Sequence, residues 1–120
     1  MRPVALLFDE HLENALQLGL RRRAPATDIL RVGSYAAPAC GSSDPELLLW
    51  CEQEHRMLVS LDRRTLPGHF ADHLAAGHQC WGVLLLRRGL STGLALEQLE
   101  LIVGASQAED WLDRLTYLPF

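Results

Sequence analysis

The chain has 120 residues, a net charge of −4 and apolar residues at almost half its positions. That is one domain, long enough to hide roughly two-thirds of its unfolded surface, and too apolar to be disordered. The acidic balance excludes a surface field that gathers nucleic acid unaided, so any such partner needs a local basic patch or a neutralising cation.

Three cysteines, Cys40, Cys51 and Cys80, lie far apart with no C-x-x-C. An odd, scattered set of this kind argues against a disulfide framework and a thiolate zinc site. The longest apolar runs, such as Val4–Phe8 and Val83–Leu86, are far too short to span a bilayer. No signal peptide is visible, and the expected location is the cytoplasm. Lys is absent, and Arg supplies all the strongly basic side chains.

In chain order, Val4–Phe8 reads as a buried strand. A helix is expected from about His11 to Arg22, with Leu12, Ala15, Leu16 and Gly19 on one side, and Arg21–Arg23 at its C-terminus favours the helix dipole. Asp28–Val32 is a second strand, stopped by Gly33. Gly33–Ser43 is rich in Gly, Ala, Ser and Pro and reads as a long loop. The helix Asp44–His55 follows, with Asp44 as expected N-cap, Pro45 in the first turn, and Leu47, Leu48 and Cys51 as its apolar stripe. Arg56–Leu61 is a third strand, His69–Ala76 a short helix, and Trp81–Leu86 a fourth strand. Ser91 or Thr92 opens a helix to about Val103, and Asp110–Phe120 is a short helix, an edge strand, or one after the other.

Apolar strands alternating with amphipathic helices indicate βαβ units and a parallel sheet covered on both faces. The expected fold class is therefore α/β, a three-layer α/β/α domain over residues 1–120 with four or five mainly parallel strands.

In such sheets ligands collect outside the carboxyl ends of the strands. The first strand ends in Asp9-Glu10, the helix after the second starts Asp44-Pro45-Glu46, the third strand ends in Asp62-Arg63-Arg64, and the fourth in Arg87-Arg88. Acids at three βα junctions on one rim repel each other unless they share a hard cation, for which oxygen ligands suit Mg²⁺ or Mn²⁺. Each acid also has a plain structural use: Asp44 and Asp62 as caps, Glu10 as a solvated first-turn residue. Asp9, ending a strongly apolar strand, is the hardest to explain that way. For the arginine pairs, phosphate contact by forked guanidinium groups stands beside simple ion pairing with the neighbouring acids.

The segments "LLFDEHL", "SSDPELLLWCEQEHRMLVSLDRR" and "GVLLLRRG", in that order before a final helix, resemble the small PIN-like domains related to the VapC-type toxin ribonucleases. The resemblance covers nearly the whole chain. It implies a PIN-like fold, with Asp9, Glu46 and Asp62 as catalytic metal ligands and Glu10 and Asp44 as further ligands. It further implies a Mg²⁺- or Mn²⁺-dependent endoribonuclease in which metal-activated water hydrolyses an RNA phosphodiester. Arg63, Arg64, Arg87 and Arg88 are then the RNA-contacting candidates, and the implied partners are RNA, an antitoxin protein and a second copy of the chain in a homodimer. The chain departs from the pattern at His11, where Asn is usual, and at Arg64, where a second acid is usual, with Thr65 next. The alternative expectation is a catalytically weakened module acting through protein partners. A phospho-receiver domain is set aside, because it requires a Lys.

His69 and His73 are four residues apart and share a helix face. They lack the Glu of a metalloprotease motif, and ordinary surface or loop histidines are expected. Trp50, Trp81 and Trp111 sit in or beside apolar segments and are expected to pack.

Overall fold

Successive side chains of a strand point to opposite faces, and here both sets are apolar. In the computed structural model, which describes Met1–Phe120, the strands are β1 (Leu6–Phe8), β2 (Ile29–Arg31), β3 (Met57–Ser60), β4 (Val83–Leu86) and β5 (Leu115–Leu118). All neighbouring strands pair in parallel, in the order β2-β1-β3-β4-β5. The helices are α1 (Asn14–Arg23), α2 (Asp44–Glu54), α3 (Leu66–Ala75) and α4 (Thr92–Ala105), with a 3-10 turn at Ala108–Trp111.

Two cores result. Leu6, Phe8, Met57, Val59, Leu84 and Leu86 face Leu16 and Leu20 of α1 and Ala95, Leu96, Leu99 and Ile102 of α4. Leu7, Leu58, Val83 and Leu85 face Leu47, Leu48 and Cys51 of α2 and Leu66 of α3. The fold is thus the expected α/β class with a five-stranded, all-parallel sheet between two helical layers. The absence of a side chain at Gly19 lets α1 and α4 approach: a Cβ there would stand 2.6 Å from Leu96 Cδ1.

The ends of the elements differ from expectation in informative ways. Helix α1 starts only at Asn14, because residues 9–12 form a turn. Arg31 holds that turn, its Nη2 donating to the carbonyls of Glu10 and Leu12. Helix α3 starts at Leu66 rather than His69, with Pro67 in its first turn. The last segment is a 3-10 turn followed by edge strand β5.

At the opposite, amino edge, Arg56 reaches under the sheet. It donates from Nη1 to Leu6 O at 3.1 Å and forms a forked pair with Asp28. Trp111 is buried and donates from Nε1 to Ser106 Oγ, while Trp50 and Trp81 are half-buried. No helix is long and apolar enough to cross a membrane.

The inward face of α4 gives a direct stability test. Leu99 is fully buried and Leu101, two residues on, is 57% exposed. Leu99→Ala is expected to cost about 2–5 kcal/mol and Leu101→Ala less than about 0.5 kcal/mol, measured by urea unfolding. Equal losses would contradict this packing.

Candidate functional site at the carboxyl edge of the sheet

Parallel pairing of β1 with β3 sets Phe8 beside Val59. The next residue of β1's chain, Asp9, donates its N–H to Val59 O. Ser60, at the end of β3, then lies beside the Asp9 side chain, and its Oγ stands 3.2 Å from Asp9 Oδ2. The same Ser60 Oγ accepts the N–H of Asp62 at 3.1 Å. One hydroxyl thus donates to the acid of one strand and accepts from the chain of the next.

From Asp62 the chain of contacts continues. Its Oδ1 accepts the N–H groups of Arg64 and Thr65, both at 3.0 Å, which makes it the turn residue that starts α3. Its Oδ2 accepts the Thr65 hydroxyl. Thr65 Oγ1 also lies 3.3 Å from Asp44 Oδ2, and Asp44 Oδ2 is 3.1 Å from His69 Nδ1. A hydroxyl carries a single hydrogen, so Thr65 serves only one of the two carboxylates at a time. Asp9, Asp62 and Asp44 are therefore joined in one line across the rim, through Ser60 and Thr65.

Asp44 is free for this role because it is not the N-cap. Ser43 is: its Oγ accepts from Glu46 N, and the Glu46 carboxylate returns to Ser43 in a capping box. The Glu46 side chain is consequently engaged at the start of α2, 2.9 Å from Ser43 Oγ, rather than in the Asp9–Asp62–Asp44 line. Glu10 is also turned elsewhere. Its Oε1 accepts Gly41 N–H at 2.9 Å, tying the Gly33–Ser43 loop to the end of β1.

The electrostatics divide the acids. Burial pushes the Asp9 carboxyl above its ordinary value, against the lowering effects of His11 and the Ser60 hydrogen bond. Asp62 is held below its ordinary value, first by the Thr65 hydroxyl and then by the Thr65 and Arg64 N–H groups. Glu10 is likewise lowered, chiefly by Gly41 N–H. No Arg forms an ion pair with any of these acids; the one cationic-type partner on the line is His69.

The arginines separate into two hollows. Arg63, Arg64 and Arg88 line an open one of about 310 Å³ with Leu61 and Asp62, and the Arg63 guanidinium lies over the Tyr117 ring, 4.7 Å from its centre. Arg87 borders a more apolar hollow made with Leu12, Leu16, Leu61, Leu90 and Ala95.

The oxygen donors along the line, carboxylates and hydroxyls, are those a hard cation takes. No three acidic oxygens of the rim lie within 4.8 Å of one another. The donors are of the chemical type that Mg²⁺ and Mn²⁺ take, and in this structure they stand in a line rather than gathered around one point. Ser60 and His69 belong to this line although no motif in the sequence marks them. Ser60 ends β3 two residues before Asp62, and His69 lies one turn into α3; both become readable only once β1 and β3 are paired and α3 is known to begin at Leu66.

Comparison of the chain with protein-family models, with curated proteins and with solved structures finds no match in any of the three.

The opposite pKa shifts at Asp9 and Asp62 give opposite mutational signs. Ionised Asp9 costs stability at neutral pH, and that cost fades as pH falls through its raised value towards the ordinary 3.8. Ionised Asp62 contributes stability above 3.8 that is lost as pH falls through its lowered value. With EDTA present at pH 7, Asp9→Asn is expected to raise the melting temperature and Asp62→Asn to lower it; the Asp9 difference shrinks as pH falls towards 3.8, and the Asp62 difference persists to 3.8 and shrinks only below it. Shifts of the same sign would contradict the assignment.

Proposed function

We propose that the chain is a PIN-like, metal-dependent endoribonuclease whose metal is held at the Asp9–Asp62–Asp44 rim. The observation that carries the proposal is the joining of three acids from distant parts of the chain through Ser60 and Thr65, with no Arg among their ion-pair partners. Within this line Asp9 is the acid whose charge is least compensated, raised by burial, and it gains most from a cation.

Asp9 and Asp62 would hold Mg²⁺ or Mn²⁺, with Asp44 beside them. The ion, when bound, supplies charge neutralisation at a phosphate and a nucleophile at neutral pH. The rest falls to side chains of the chain. Ser60 and Thr65 fix the carboxylate orientations. Arg64 and Arg88, both exposed beside Asp62, offer forked donors to phosphate oxygens. Arg63, lying over Tyr117, presents its guanidinium edge in a set position. This local basic patch answers the unfavourable net charge. RNA as substrate, an antitoxin as inhibitor and a homodimer belong to the same proposal through the PIN-like resemblance. A cytoplasmic setting accords with three free thiols, two of them buried.

A second reading, a binding or regulatory module with weakened catalysis, draws support from two particulars. Arg64 stands where a second acid is usual, and Glu46 is engaged in its capping box.

Purified protein with Mn²⁺ is expected to cleave single-stranded RNA, and Asp62→Asn, or the wild type in EDTA, to fall to background. Equal cleavage by wild type and variant would identify a contaminant and leave the module reading ahead. Independently, Mn²⁺ is expected to raise the melting temperature by preferential binding to the folded state, about 2.7 kcal/mol at a hundredfold excess over Kd. Asp9→Asn should remove most of that gain; an undiminished gain would refute the assignment.

A further inference from the structure

A second convergence of ligating groups lies beyond the His69 end of the acid line, where α2 and α3 meet. Glu52 comes from the third turn of α2, His73 from α3, and His78 from the turn just beyond α3. Gly77, at φ +91°, reverses the chain there and sets His78 back against His73. The two imidazoles stack with centroids 4.8 Å apart. Glu52 Oε1 is 3.0 Å from His78 Nδ1 and 3.4 Å from His73 Nε2. One ligating atom from each of the three lies within 4.8 Å of the other two.

We propose that Glu52, His73 and His78 form a binding site for a zinc-type divalent cation, distinct from the rim at Asp9 and Asp62. Zn²⁺ bonds to imidazole nitrogen and carboxylate oxygen at about 2.0–2.2 Å, so its ligand atoms stand about 3–3.5 Å apart. The two Glu–His separations already have that length. Two imidazole nitrogens and one carboxylate oxygen select Zn²⁺, Co²⁺ or Ni²⁺ over Mg²⁺. Support around the ligands is in place: Glu52 Oε2 accepts Gln79 N–H at 3.0 Å, which orients the carboxylate.

His73 is the anchoring ligand, its side chain only 4% exposed. Its Nε2 now faces Gln79 O at 2.8 Å, so that nitrogen carries a hydrogen. The cation takes the place of that proton, which leaves to solvent, and the carbonyl of exposed Gln79 turns to water. His78 and Glu52 are open enough to admit the ion. On the outer side, His69, Asp72, His73 and His78 border a hollow of about 210 Å³ with Pro45 and Leu49. That hollow leaves the remaining coordination position to water. The bound ion joins α2 to the α3–β4 connection and so stabilises the folded state.

The test is ZnCl₂ titration of the EDTA-stripped, full-length protein by calorimetry at pH 7.5, paired with visible absorption of the Co²⁺ form. One Zn²⁺ per chain is expected, with a raised melting temperature. Affinity should weaken at acid pH, where protons compete with the ion for the imidazole nitrogens. His78→Ala and Glu52→Gln, which leave buried His73 in place, should each lose at least about tenfold in affinity and alter the Co²⁺ spectrum, with circular dichroism reporting the fold. Asp62→Asn should bind Zn²⁺ as the wild type does, which separates this site from the rim. No uptake by the wild type, or wild-type affinity in both His78→Ala and Glu52→Gln, would overturn the proposal; so would loss of Zn²⁺ in Asp62→Asn alone.

Discussion

Everything at the carboxyl edge depends on the parallel pairing of β1 with β3. Leu6, Leu7 and Phe8 align with Met57, Leu58 and Val59, and these six side chains are all buried. A one-residue slip would turn every one of them to the other layer, so the packing of both cores holds the register. That register, in turn, brings Ser60 within hydrogen-bond distance of Asp9 across fifty-one positions of sequence. The apolar strands thus supply the order, and the polar residues that follow them inherit it.

The two ends of this line work under different physics. Asp9 sits where the sheet ends and the α1 layer begins, so burial dominates and its charge is poorly compensated. Asp62 starts a turn, and three hydrogens reach its two oxygens from Thr65 and Arg64. One acid is thereby a group in want of a positive partner, the other a group fixed in position. The imidazole pair beside Glu52 is a separate matter of softer donors, and the two places differ in the ions they suit.

The layering was readable from sequence because it rests on local apolar runs: Val4–Phe8, Arg56–Leu61 and Trp81–Leu86 each contain the strand later found. So was the place of Asp9 and Asp62 just past strand ends on one rim; that β1 and β3 are neighbours came only with the structure. What escaped depended on one-residue differences or on partners far away. Asp44 and Ser43 are both good caps, and which of them caps α2 is decided by the reciprocal bond to Glu46. That choice frees Asp44 for Thr65 and His69 and occupies Glu46, a distinction no periodicity contains. His73 was expected at the surface, yet it is buried, because α3 packs on α2 along a face that includes it. The union of Glu52 with His73 and His78 likewise needs the α2–α3 contact and the reversal at Gly77.

The claim that the rim acids hold a cation is tested most directly by a crystal of the protein soaked in Mn²⁺ and examined for anomalous scattering. The predicted result is a peak at the carboxyl edge, in contact with a carboxylate oxygen of Asp9 or Asp62. A map with no peak at that edge, or with Mn²⁺ only beside Glu52, His73 and His78, would contradict it.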